Sequence, residues 1–435
     1  MPPTRTLPTL AVALLISAVL PAAPPDPPSE ARLIAAFNQR VLAIAVAEDR
    51  LLTLKGVRTA AMMHLAMHDA LNAIEPRYTA YAWRDTAPDA DPVTAAVEAA
   101  YTVAVDQYPD REAELAAERE RRLAGMDGRA GYQRGLVAGK AAARAVLDRR
   151  RDDGWNREAD YTWHPMAPGV YAEFHEHSGT PEGFVFGSGW ATARPFFLER
   201  PDQFRSPPPP AIGSAAYAAA FDEVKAVGRH DSDVRTADQS HLAMWWKDFV
   251  ENSHNRLARE LAIASELDLW EAARLFALLN GAIFDAYVSV FDNKFHYNHW
   301  RPYTAIRWAA HDGNPRTVPD SGWTNLHDHT YAFPSYPSAH GCASAAAMSV
   351  LAAVFGDSTA FTMTIREVDR SGPLSEKILM DPPTRSFTAF SEAAMECSLS
   401  RVYLGIHFRY DSIEGFRLGN RVAEWAITGF LAGEE

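Results

Sequence analysis

Stretches rich in Ala, Leu and Met recur at helical spacing along most of this chain, and no segment shows the apolar/polar alternation of a half-buried strand. The clearest stretch is residues 58–74 (RTAAMMHLAMHDALNAI), and it has an echo. Residues 58–70 align without gaps on residues 274–286 (RLFALLNGAIFDA), sharing the leading Arg, Ala61/Ala277, Ala66/Ala282, Asp69/Asp285 and Ala70/Ala286. Small residues at these positions let helices approach closely, and the separation is far too long for a solenoid repeat. The pattern predicts a mainly α fold of helix-bundle architecture, with two related helical bundles. The competing reading of the echo is convergence of two amphipathic helices.

Composition divides the chain further. Residues 30–152 form an N-terminal helical half, with glycines at 125, 128 and 131 marking a turn. Residues 153–213 hold Gly, Pro and many aromatics without periodicity, and read as an ordered irregular connection rather than a flexible linker. Residues 214–435 return to helical pattern, broken by turns at 313–337. At the start, Arg5 precedes an apolar run at 10–20 and then Pro21-Ala-Ala-Pro-Pro, which reads as a signal peptide over residues 1–23 and export to a periplasmic or secreted location. A short membrane anchor or a disordered tail is the alternative. No later stretch reads as the roughly twenty apolar residues of a membrane span, so no membrane association is expected of the mature form.

The net charge of −13 argues against a nucleic-acid partner, which needs a basic footprint. Only Cys342 and Cys397 are present, so a disulfide framework is excluded. One bridge and two buried thiols are both compatible with the count. The oligomeric state is not fixed by sequence; a homodimer is allowed.

Three short segments of the last third carry the chemistry: 294–302 (KFHYNHWRP), 337–340 (PSAH) and 400–411 (SRVYLGIHFRYD). They supply Lys294, Arg301, Arg401, Ser338, His340 and His407, equipment for a tetrahedral oxyanion such as phosphate or vanadate. A multiply charged anion leaves water only when several cations and donors replace its hydration shell. Lys294 and Arg301, seven apart, would share one helix face with about 10 Å between Cα atoms. Ser338 suits the N-cap of the Ala-rich run that follows, whose free N–H groups favour an anion. His340 would then hang beside it as an acid or base. His407 and Asp411 form a pair in which the carboxylate fixes the imidazole tautomer. Asp411 is also a candidate N-cap, and Asp285 is a candidate support for the arginines.

These segments resemble the signature K-x6-RP, PSGH and SR-x5-H-x3-D of the vanadium-dependent haloperoxidase and type 2 phosphatidic-acid phosphatase superfamily. The longer strings KFHYNHWRPYTAIR, FPSYPSAHG and RPFFLERPDQFRSPPPP are similar to bacterial vanadium haloperoxidase homologues. The resemblance implies vanadate held by Lys294, Arg301, Ser338, the amide of Ala339 and Arg401, with vanadium bonded to His407. Phosphate could occupy the same site. His340 would be the acid–base group, with Lys294, His407 and Asp411 sharing in catalysis. The implied reaction oxidises a halide with hydrogen peroxide to hypohalous acid, with a small organic molecule as an allowed acceptor. The alternative is a secreted acid phosphatase in which His407 attacks phosphorus. Ala339 departs from the usual Gly, while Phe291 and Phe333 stand at pocket-lining positions where halide preference varies among relatives.

Other clusters carry less weight. His64 and His68, four apart on a helix, could bind a metal but suit a core equally. His327 and His329 sit in a turn, either lining the pocket mouth or facing water. Gly187-Ser-Gly189 lacks the context of a dinucleotide site.

Overall fold

The computed structural model describes residues 30–49, 54–158 and 161–433; the expected signal peptide lies outside them. The first helices are α1 (Glu30–Asp49), α2 (Leu54–Ile74), α3 (Pro92–Gln107), α4 (Glu112–Leu123) and α5 (Tyr132–Arg150). After one short helix, α6 (His175–Ser178), come α7 (Ala215–Val227), α8 (Ala237–Trp245), α9 (Val250–Ala264) and α10 (Leu269–Tyr297). The last are α11 (Pro302–Trp308), α12 (Ala339–Phe355), α13 (Phe390–Tyr403) and α14 (Arg409–Gly429). The fold is mainly α, as the periodicity predicts.

Strands do occur, against expectation. β1 (Phe361–Thr364) pairs antiparallel with β4 (Thr384–Phe387), and β2 (Glu367–Asp369) with β3 (Lys377–Leu379). They are three or four residues long, too short for alternation to register in the sequence.

Helices α2, α3 and α5 pack together, α10, α12, α13 and α14 form a second group, and α2 against α10 joins them. One continuous hydrophobic core runs through both groups, from Ala31 to Leu431. By length and composition α10 could cross a membrane, contrary to the sequence reading, yet it is buried in protein along nearly its whole length. Its apolar surface is covered by helices.

The echo between α2 and α10 has a structural counterpart. Asp69 accepts the backbone N–H groups of Tyr81, Ala82 and Trp83 at 2.7, 2.7 and 2.9 Å. Asp285 accepts those of Phe196, Phe197 and Leu198 at 2.6, 2.7 and 2.9 Å. Each carboxylate thus pins an aromatic loop whose backbone donors would otherwise be buried unpaired. The loops meet, Tyr81 and Phe196 lying 6.1 Å apart. Burial pushes both carboxyls up to about 6, opposed by those hydrogen bonds. Asp285 therefore holds the irregular connection and bonds neither site arginine.

Candidate functional site

The first motif does not run on one helix face. Helix α10 ends at Tyr297 because Asn298 turns left-handed, φ +48°, its N–H returning to the Lys294 carbonyl at 2.8 Å. Asn is among the few non-glycine residues that tolerate this conformation. Arg301 instead caps α11, whose first residue is Pro302. The two cations still converge, because both grip the strip 333–335. Lys294 Nζ donates to the carbonyls of Pro334 and Ser335 at 3.0 and 2.7 Å, and Arg301 Nε to that of Phe333 at 2.8 Å. The Phe333 ring lies 5.1 Å from the ammonium and 4.6 Å from the guanidinium. Phe291 packs on Phe333 at 5.3 Å, and Phe186 and Trp190 of the irregular connection complete this aromatic wall.

The other two motifs meet where α12 and α14 approach closely. A Cβ on Gly415 would stand 2.4 Å from the Ser338 carbonyl, so only glycine allows this contact. Ser338 caps α12, its Oγ accepting from Gly341 N at 3.3 Å, and its own N–H donates to the Asp411 carbonyl at 2.9 Å. Ala339, the first residue of α12, has no positive φ, so the backbone there does not call for glycine.

Arg401 lies in the last turn of α13, and Gly405, φ +83°, makes the tight turn that delivers His407. His407 is 3% exposed; its Nδ1 lies 2.9 Å from Asp411 Oδ2 and its Nε2 3.1 Å from Arg301 Nη1. With Nδ1 donating to the carboxylate, Nε2 keeps its lone pair toward the cations. Asp411 Oδ2 also accepts from Ser335 Oγ at 2.5 Å and from Phe408 N at 3.2 Å. Phe408, not Asp411, is the cap of α14. Ser335 escaped the sequence reading, although it stands within the string FPSYPSAH.

Both arginines are held by carbonyls rather than carboxylates: Arg301 by Phe333 and Ile406, Arg401 by Trp246. Carbonyls occupy donors without neutralising charge. The cluster of Lys294, Arg301 and Arg401 therefore faces one buried carboxyl, Asp411. Burial, then Arg301, pushes Lys294 well below the ordinary ammonium range, and burial brings Arg301 down to about 10. Burial raises Asp411 to about 7, against the pull of Ser335 and of the Lys294 and Arg301 charges. Burial, then the Arg301, Lys294, Arg401 and His340 charges, drives His407 far below its usual value. His340 is lowered in the same way by burial and Arg401. Arg301 Nη2, Arg401 Nε and His340 Nε2 are buried without a hydrogen-bond partner. Such groups are costly unless something satisfies them, and an oxyanion carrying one proton would accept from both arginines, donate to His340 Nε2 and balance the charge. The residues fit vanadate or phosphate.

Residues 274–431 match a family described as the VCPO second helical-bundle domain, a span that includes every residue of this cluster. Over that span the chain is homologous to the vanadium haloperoxidases. Vanadium chloroperoxidase of Curvularia inaequalis is 24% identical over 273 residues, half of this chain; that match spans 44% of the relative's length. A solved structure described as the first bacterial vanadium-dependent iodoperoxidase superposes with TM-score 0.72 at 22% identity, covering 93% of this chain and 98% of that one. A holo-type bacterial vanadium-dependent chloroperoxidase gives TM-score 0.65 at 17% identity, covering 86% and 92%. The likeness in fold thus extends over both helical groups.

The remaining sequence candidates fall outside the cluster. His64 and His68 are buried, with Asn38 at 3.2 Å and the Thr79 carbonyl at 3.2 Å, and no group of metal-ligating residues occurs among the described residues. Cys342 and Cys397 are free, buried thiols. His327 and His329 do not face water; both are buried.

Proposed function

We propose that this chain is a vanadate-dependent haloperoxidase, oxidising a halide with hydrogen peroxide to hypohalous acid. The observation that carries the reading is the convergence of unpartnered Arg301 Nη2, Arg401 Nε and His340 Nε2 with a surplus of buried positive charge. Lys294, Arg301, Arg401, Ser338 and the first-turn N–H of Ala339 hold the oxyanion, whose negative charge the start of α12 also favours. His407 Nε2 is the ligand atom. Asp411, steadied by Ser335, keeps the His407 proton on Nδ1 so that Nε2 stays basic. When bound, vanadate supplies Lewis-acid activation of hydrogen peroxide toward the halide. His340 Nε2, held in the first turn of α12, takes and returns the peroxide proton. The buried, aromatic-walled setting excludes bulk water from these charges.

Bromination of a phenolic dye tests the proposal. Turnover that requires protein, vanadate, peroxide and bromide together supports it. Hydrolysis of a phosphate monoester without such turnover would instead assign the pocket to the acid phosphatase reaction.

A further inference from the structure

Arg401 gives one guanidinium nitrogen to the protein and keeps another for the ligand, and the Trp246 carbonyl makes the division. Nη1 donates to that carbonyl at 2.9 Å, while Nε is buried without a partner. The Tyr331 phenol also bears on the guanidinium. Trp246 caps α8, its N–H returning to the Leu242 carbonyl at 3.0 Å. Its own carbonyl is among those at a helix C-terminus that lack a partner within the helix, and that end of a helix is negative. It therefore steadies the buried cation without placing a carboxylate beside it.

A ring of charged hydrogen bonds fixes this cap. Trp246 Nε1 donates to Glu396 Oε1 at 2.8 Å. Arg385 on β4 holds both oxygens of Glu396, Nε on Oε1 and Nη2 on Oε2, each at 2.8 Å. Arg385 Nη1 donates at 2.8 Å to Asp238 Oδ1, in the first turn of α8. Both ends of α8 are thus tied to one Arg385–Glu396 pair, and Glu396 lies on α13, the helix that carries Arg401. Trp245 adds a bond from Nε1 to the Pro383 carbonyl at 2.9 Å. The two indoles are fully buried, whereas Glu396 and Arg385 keep 23% and 15% of their side chains exposed. An ion pair open to water contributes little stability, but two parallel bonds between arginine and carboxylate are directional. What the ring supplies is geometry.

We propose that Glu396 and Trp246 are positioning residues for the oxyanion site. Clamped by Arg385, they set the end of α8 so that its carbonyl takes Arg401 Nη1 and leaves the Nε edge to the ligand. That the ligand is vanadate rests on the haloperoxidase reading; the positioning of Arg401 does not.

Calorimetric titration of the full chain with vanadate tests the assignment. Glu396→Ala, at a partly exposed position, leaves the indole N–H unpaired and frees the cap; it should weaken binding about tenfold, the loss of one charge-assisted contact. Trp246→Phe removes the donor instead and should weaken binding similarly. Glu396→Gln keeps an oxygen for the indole and should stay within about threefold of wild type. A double-mutant cycle separates positioning from general loosening: in an Arg401→Lys background, Glu396→Ala should change vanadate affinity less than about twofold. An undiminished effect in that background, or wild-type affinity in Glu396→Ala alone, overturns the proposal. A crystal structure of Glu396→Ala without vanadate gives the second reading. Arg401 Nη1 is expected to leave the Trp246 carbonyl, and an unchanged bond overturns the proposal. Wild-type protein that bound neither vanadate nor phosphate would reject the oxyanion reading, and the crystal comparison would still decide the positioning.

Discussion

Replacing Asp411 by Ala puts the centre of the site under load. Its Oδ2 collects three buried donors, Ser335 Oγ at 2.5 Å, His407 Nδ1 at 2.9 Å and Phe408 N at 3.2 Å. Each donor left unpaired in the interior costs about 1–3 kcal/mol, so the direct loss is at least about 3 kcal/mol. The burial cost of the carboxyl itself, recorded in its rise to about 7, is recovered and keeps the total toward the lower end. Urea unfolding without vanadate should therefore show Asp411→Ala less stable by about 3 kcal/mol, while Ser335→Ala, which removes one donor and leaves two, loses about 1 kcal/mol. Binding should fall as well. A ligating histidine deprived of its carboxylate partner typically binds its metal about 10–100-fold more weakly, and calorimetric vanadate titration reads this directly. Wild-type vanadate affinity in Asp411→Ala, alongside the stability loss, would refute the argument that this carboxylate sets the His407 tautomer.

Asp285→Ala strips three buried N–H groups of their acceptor and should cost about 3 kcal/mol in urea unfolding; a loss below about 1 kcal/mol would contradict the pinned-loop account. Burial lowers His254 to about 3, so the unfolded chain binds a proton near pH 6.5 that the native one refuses. Its stabilisation is complete above pH 6.5 and is lost as pH falls, at about 1.4 kcal/mol per unit. His254→Gln should flatten the wild-type stability curve by that slope between pH 6.5 and 5, and an unchanged slope would show that His254 is protonated in the fold. Ala339→Gly should leave vanadate affinity within about twofold and alter stability by less than about 1 kcal/mol, since the backbone there is ordinary helix. A large gain in affinity on titration would mean that Ala339 obstructs the pocket.

Local sequence carries the mainly α class, the echo of α2 in α10 and the identity of the residues that gather around His407. Helical periodicity is a local property, and a serine cap, a glycine turn and an i, i+4 His–Asp pair such as His407 and Asp411 act within a few residues. Tertiary structure alone decided which distant groups meet. Lys294 and Arg301 converge through the strip 333–335 rather than along one helix, because Asn298 ends α10 between them. Ser335 joins His407 and Asp411 from more than seventy residues away, Asp285 turns to the 196–198 loop instead of an arginine, and Lys247 comes to the carbonyls of Asp369 and Ser371. Such partnerships are set by which carbonyls and charges burial leaves within reach, and no spacing along the chain encodes that. The short strands belong with them, being held by pairing partners whose positions only the folded chain supplies.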